Sequence, residues 1–346
     1  MSAGYFGKRE KLYLEDLWWG LITSSHILHN HGVLDAYGHV SVRNPDTPEH
    51  FFMSTHIAPA LLSTVDDIIE YKVEAASPAD PNEKRRGYLE RCIHSEIYKK
   101  FPSVNAVVHS HCPDILPYSI NSVPLKAATH TAGFIGNGAP VWDIANAYSS
   151  MPSLAGVTGG DKEKHDLLVK TPQLGRHLAA AFKPSTSKAF LYNKMLAALP
   201  GGEPDPDNEP NFPVVLMRGH GFTTCADSLE VVVFQAIYTK EAAKVQTGAL
   251  LTNASYFSDF RLPDSSMEGS ISVGDKGSGK ISGGKVKGVK SKREAEEVKY
   301  LSEREAGDAW SMNKETTMRP WALWCREVEV NPLYRNEVEK MGDKQP

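Results

Sequence analysis

The sequence predicts an α/β fold, and three stretches predict it. Residues 90–111 (ERCIHSEIYKKFPSVNAVVHSH) read as a helix, a break at Phe101-Pro102-Ser103, and a short apolar strand over Val104–Val108 that runs into two histidines. Residues 214–221 (VVLMRGHG) again carry an apolar strand into a histidine and a glycine turn. Residues 11–31 place Leu12, Leu14, Leu17, Trp18, Leu21, Ile22 and Leu28 near helical spacing, and an alternating stretch follows them. Helices and strands therefore interleave along one chain.

The elements follow in order. His31-Gly32 ends the first helix. His26, His29 and His31 on or near it read as surface or capping residues, not as ligands. Residues 37–44 (YGHVSVRN) alternate as a strand, 45–50 form a polar turn, and 51–54 return, so 37–54 reads as a hairpin. Thr64 followed by Asp66 and Asp67 reads as an N-cap, and 76–86 as an exposed loop. A short helix is expected over 113–120 and another over 172–182. Residues 149–164 and 184–212 are rich in Gly, Pro and Asp and read as surface insertions. A long helix is expected over 228–252, N-capped by Ser228. Three units follow: a main domain over 1–254, a Gly/Ser/Lys-rich linker or insertion over 255–291, and a helical tail over 292–346. Trp310, Trp321 and Trp324 are expected to dock that tail onto the domain or onto a neighbouring subunit.

Composition narrows the function classes. Of 346 residues, 41% are hydrophobic and 23% charged, as in ordinary globular proteins. The net charge of −4 points to neither nucleic acid nor an acidic membrane. No apolar run reaches the ~18 residues of a membrane span, and no signal peptide is read at the N-terminus. Cys92, Cys112, Cys225 and Cys325 show no C-x-x-C spacing, so free thiols and a cytoplasmic location are expected. The three glycines of 129–141 do not form a nucleotide loop, and Gly-Ser-Gly-Lys within 265–291 follows no apolar strand.

The chemistry concentrates in the histidines at strand ends. His109 and His111 are two apart, so their side chains point to one side. Glu90 and His94 are four apart and share a helix face. A third histidine, His220, ends the second apolar strand. Imidazoles delivered by two strands, with a carboxylate nearby, are the residue types of a divalent metal site. Cys112, next after His111, is expected to point away.

These pieces occur in an order that resembles the class II aldolase/adducin superfamily. The resemblance rests on Gly38-His39-Val40-Ser41-Val42-Arg43, Phe52-Met53-Ser54, Glu90 with His94, the run Asn105 to His111, Thr129-His130 and Arg218-Gly219-His220-Gly221, and spans roughly residues 10–252. It implies a three-layer α/β/α fold around a central, mostly antiparallel sheet. It implies one divalent ion per subunit on His109, His111 and His220, zinc first, with manganese or Fe(II) as alternatives. It implies Glu90 beside the ion, moving a proton or accepting a hydrogen bond from a ligand imidazole. Homo-oligomers, commonly tetramers, are implied as well.

Departures from the sugar-phosphate aldolases direct the substrate reading. Their phosphate is held by an Asn where this chain has His39, and by a Ser-Ser pair where it has Tyr88-Leu89. Leucine donates no hydrogen bond. Thr129-His130 is followed by Thr131-Ala132, without the aspartate of the epimerases. The pattern is similar to a branch that includes decarboxylases of hydroxylated aromatic carboxylic acids. The expected function is thus a metal-dependent carbon–carbon lyase that decarboxylates a hydroxylated aromatic or keto carboxylic acid through a stabilised enolate or phenolate. The expected partner is a small carboxylate. Glu90 and His130 are the expected catalytic residues, and His39, Arg43, Ser54, His56, Tyr88 and Arg218 the expected substrate contacts. Arg218 reads equally as the partner of an acid at a subunit interface. Aldol cleavage of a non-phosphorylated substrate, Fe(II) oxygenation, and a non-catalytic adducin-like scaffold are the alternatives.

Overall fold

A computed structural model describes residues 14–150, 165–183, 209–257 and 297–339. The elements are α1 (Leu14–Asn30), β1 (His39–Arg43), β2 (His50–Ser54), β3 (Ile68–Lys72), α2 (Arg91–Lys100), β4 (Ala106–Ser110), α3 (Leu116–Ile120), β5 (Val141–Trp142), α4 (Ile144–Ser150), α5 (Pro172–Ala181), β6 (Val214–Met217), β7 (Gly221–Ala226), α6 (Leu229–Phe257), α7 (Glu303–Glu315) and α8 (Met318–Val330). The strands form one seven-stranded sheet in the order β3-β2-β1-β4-β7-β6-β5. Every pairing is antiparallel except β5 with β6.

Strand alternation sends side chains to two separate cores. Val40, Val42, Ala106, Val108, Leu216 and Phe222 pack with Leu21, Ile22 and Leu28 of α1 and with Val232, Val233 and Ile237 of α6. Phe51, Met53, Val107, Val215 and Met217 face the other way, onto Ile93 and Ile97 of α2 and Leu174 and Leu178 of α5. Helices on both faces of a mostly antiparallel sheet give the expected α/β/α layers.

The expected hairpin forms, with Val42 opposite Phe52. The strand expected over 104–108 lies two residues later. Val104 donates its N–H to the Phe101 carbonyl in a turn, so the ladder starts at Ala106 and His109 falls inside it. The helix expected from Pro113 begins at Leu116. Glu90 stands at the N-cap of α2, outside the helix. Neither β3 nor β5 was legible, since Ile68–Lys72 is short and β5 has only Val141 and Trp142. Thr64 and Asp67 form a capping box, on a 3₁₀ turn. The insertions expected over 149–164 and 184–212 lie mostly outside the described residues. So does the linker, although α6 runs on past residue 254 to Phe257.

The tail packs on the main body through its aromatics. Trp310 meets Phe134 edge-on at 5.4 Å and lies 6.1 Å from Phe234. Trp324, on α8, contacts His31, Phe234 and Tyr238. The capping box of Ser302 and Glu305 starts α7 where it crosses the 130–135 turn. Gly133 permits that crossing, because a Cβ there would stand 2.4 Å from the Ala306 carbonyl. Among the described residues no helix is long and apolar enough to cross a membrane.

Trp324→Ala is expected to lower stability by roughly 3–5 kcal/mol in denaturant unfolding, as for a buried aromatic. A loss below about 1 kcal/mol would show that the tail is not part of the folded unit.

Candidate metal centre

The centre forms where β4 ends and the β6–β7 turn meets it. Antiparallel pairing sets His109 opposite Thr223 on one side and His39 on the other. The turn between β6 and β7 needs Gly219 at φ +65° and Gly221 at φ +152°. A Cβ on Gly221 would stand 1.9 Å from the Ser110 carbonyl. Backbone contact at that point brings His220 against His111.

Three imidazoles converge there. His109 Nε2 is 3.2 Å from His111 Nε2, and His220 Nε2 is 3.1 Å from His111 Nε2. Glu90 Oε2 lies 3.6 Å from His109 Nε2 and 3.7 Å from His220 Nε2. Among the described residues these four form a group able to hold a metal ion.

The outer nitrogens show which lone pairs face inward. His111 Nδ1–H donates to Asp35 Oδ2 at 3.2 Å. Asp35 is itself fixed by the N–H groups of Tyr37 and Gly38, both at 2.8 Å. Burial opposes its ionisation, but the His111 contact and these N–H groups outweigh it and hold the carboxyl well below its usual range. Thr223 Oγ1 donates to Met217 Sδ, which leaves it to accept from His109 Nδ1–H at 3.1 Å. The protons of His109 and His111 are thus held outside, and their Nε2 lone pairs point in. Acceptor nitrogens packed this closely repel one another unless a cation lies among them. Nitrogens bound to one zinc ion at about 2.0–2.1 Å lie at such separations. The residues present therefore fit a divalent ion. Spacing alone does not choose among zinc, manganese and iron.

Burial favours the neutral form of His109 and His220. His109 lies well below its ordinary pKa, first through desolvation and then through the neighbouring imidazoles. Desolvation, with His111 next, lowers His220 to about 4. Burial pushes the Glu90 carboxyl up to about 7, against the Val169 N–H that donates to its Oε1 at 2.9 Å. That segment also holds Leu167 at φ +66°, a strained conformation for a non-glycine residue, and its carbonyl faces His220.

Other expected contacts line up beside the four. The His39 ring is 5.1 Å from that of His109 and 4.7 Å from Tyr88. Tyr88 lies 5.4 Å from exposed His56, contacts Ser54, and donates its hydroxyl to the Ile57 carbonyl.

Three expected site residues lie apart from the four. Arg43 sits at the far end of β1 from His39, roughly 13 Å away at strand rise. Its guanidinium donates to the carbonyls of Val104, Pro48, Tyr98 and Phe101, so it ties β1 to the end of α2. Arg218 pairs with Asp143 at 2.7 Å within its own chain, so its charge is already matched. His130 is exposed on the 130–135 turn, where its carbonyl accepts from Asn313 Nδ2, and none of the described contacts joins its ring to the four. Asp35 and Thr223 were missed. Asp35, three residues before Gly38, and Thr223, three after His220, were the signals available, and neither spacing is specific.

A family profile described as Class II Aldolase and Adducin N-terminal domain matches residues 20–247. The chain is similar to decarboxylase tropJ of Talaromyces stipitatus, 38% identical over 315 residues, which cover 91% of this chain and 95% of that protein. It is also similar to 3,4-dihydroxyphthalate decarboxylase of Arthrobacter keyseri, 24% identical over 164 residues, 46% of this chain and 49% of that one. An aldolase II superfamily protein from Pseudomonas syringae shares the fold, with a TM-score of 0.57 at 13% identity, covering 94% of this chain and 97% of that one.

Protein purified without added metal is expected to carry about one divalent ion per chain, measured by elemental analysis, and His109→Ala none. Asp35→Asn is expected to weaken zinc binding about 10–100-fold in competition with a chelator. Unchanged affinity would mean that Asp35 does not orient His111.

Proposed function

The chain belongs to the class II aldolase/adducin family and is a lyase, and on that premise we propose that it is a metal-dependent decarboxylase of hydroxylated aromatic or keto carboxylic acids. The observation that carries this reading is the inward-facing set of Nε2 atoms on His109, His111 and His220 with Glu90 at its edge. The similarity to two proteins named as decarboxylases supports it. So does Leu89, which has no donor for a phosphate.

The bound ion, zinc first and manganese or Fe(II) as alternatives, would be held by the three histidines and supplies a Lewis acid for an oxygen of the substrate. The chain's own residues do the rest. An acid with a hydroxyl ortho to its carboxylate presents two adjacent oxygens to this edge of the sheet. His39 and Tyr88 pack along the site's inner wall, and Ser54 and His56 continue it outward. When the bond to the carboxylate carbon breaks, CO2 leaves and the electron pair stays on the remaining carbon. That carbon then takes a proton. Glu90 is the group placed to deliver it from Oε2, which lies 3.6 Å from His109 Nε2 and 3.7 Å from His220 Nε2 at the edge of the site. Val169 N–H holds Oε1 and so leaves Oε2 to face the site. The same reading includes a homo-oligomer, a tetramer by family resemblance, in the cytoplasm.

Incubation of metal-loaded protein with 3,4-dihydroxyphthalate and simpler ortho-hydroxy aromatic acids is expected to release CO2. Turnover of a phosphorylated sugar, with none of any carboxylic acid, would overturn the reading. Glu90→Gln is expected to lower kcat about 10²–10⁴-fold with its metal retained. Metal loss in that variant, or near-normal kcat, would mean that Glu90 is not the proton donor.

A further inference from the structure

A line of buried polar groups runs from the metal centre into the core, and it ends on an unpartnered atom. Tyr98 Oη and Ser41 Oγ are 2.7 Å apart. Ser41 Oγ is 2.6 Å from His94 Nδ1, and His94 Nε2 is 2.7 Å from His39 Nδ1. None of the four side chains belongs to a residue more than 1% exposed. His39 Nε2, on the other side of the ring from His94, is buried and has no hydrogen-bond partner among the described residues.

The directions of these bonds follow from counting protons. A phenol carries one proton, a hydroxyl one and a neutral imidazole one. Among the described residues the hydrogen-bond partner of Tyr98 Oη is Ser41 Oγ. Either direction leaves one donor of the line without an acceptor: His39 Nε2–H beside the site, where a ligand oxygen can complete it, or the Tyr98 phenol closed in the core, which native interiors avoid. Tyr98 therefore donates to Ser41. Ser41 then donates to His94 Nδ1, which puts the His94 proton on Nε2. His94 Nε2–H donates to His39 Nδ1, which puts the His39 proton on Nε2. Every donor in the line is then satisfied except the last. That last donor belongs to a ring 5.1 Å from His109 and 4.7 Å from Tyr88.

We propose that Tyr98, Ser41 and His94 are positioning residues that hold His39 in the neutral Nε2–H tautomer, so that it presents a fixed donor to an anionic oxygen of the substrate. A buried N–H without an acceptor is completed when such an oxygen arrives, and a charge-assisted bond favours a carboxylate or phenolate there over an uncharged group. The tautomer stands on the hydrogen-bond line and on the place of His39 beside His109. The identity of the acceptor rests on the decarboxylase reading.

Neutron diffraction from deuterium-exchanged crystals of the zinc-loaded protein tests the tautomer. Deuterium is expected on His39 Nε2 and His94 Nε2, and not on His39 Nδ1. Deuterium on His39 Nδ1 overturns the proposal whatever the enzyme turns over. Tyr98→Phe tests the consequence, since it keeps the ring and frees the Ser41 hydroxyl to point either way. With an ortho-hydroxy aromatic acid, kcat is expected to fall about tenfold, the scale of one hydrogen bond, with zinc content unchanged and the melting temperature lowered by about 2–4 °C. Wild-type kcat in a folded, zinc-loaded Tyr98→Phe overturns the positioning role. Absence of turnover of any carboxylic acid by the wild type removes the decarboxylase reading and leaves the neutron result to decide the tautomer.

Discussion

The structure depends on the register of β4. Its pairing with β1 and β7 puts His39, His109 and Thr223 in one row across three strands. Side chains on a strand alternate, so a slip of one residue would turn His109 into the α1–α6 core and bring Val108 to the candidate metal site. The two apolar cores prevent that slip. Ala106 and Val108 belong to one, and Val107 to the other. Burial of the wrong residues would cost far more than any adjustment of the site. The packing of hydrophobic residues thus fixes where the imidazoles can be.

A second constraint comes from the close approach of two backbones. Gly221 lies against the Ser110 carbonyl, and a side chain at that position would push β7 and the His220 turn away from His111. Two histidines from distant parts of the sequence meet because the residue after His220 has no Cβ. Leu167, strained at φ +66°, and Val169, bonded to Glu90, close the same site from another segment. Strain of this kind persists only where surrounding packing enforces it.

The polar groups behind the ligands divide into two kinds. Asp35 and Thr223 each hold one proton on the outer nitrogen of a candidate ligand, so the inner lone pair is free. Tyr98, Ser41 and His94 form a longer line under His39, with its inner end beneath the Arg43 guanidinium, 4.8 Å above the Tyr98 ring. Arg43 thereby serves the site from a distance. It fixes the end of α2 to β1, and α2 carries both His94 and Tyr98.

Local pattern determined much of this protein. Apolar runs marked the strands that carry His109 and His220, and helical spacing marked α1, α2, α5 and α6. The order of the motifs identified the family and with it the three histidines and the glutamate that the fold brings together. Those features were legible because they depend on neighbours within a few residues. Tertiary structure alone decided the rest. The edge strands β3 and β5 are too short to show a period, and their partners define them. Arg43 read as a substrate contact, and Arg218 as either that or the partner of an acid, because a charge beside a motif has no visible partner in a sequence. The fold supplied the partners: four carbonyls for one and Asp143 for the other. Asp35, Thr223, His94 and Tyr98 act through side chains brought together from separate elements, and no spacing in the chain encodes which proton each one holds.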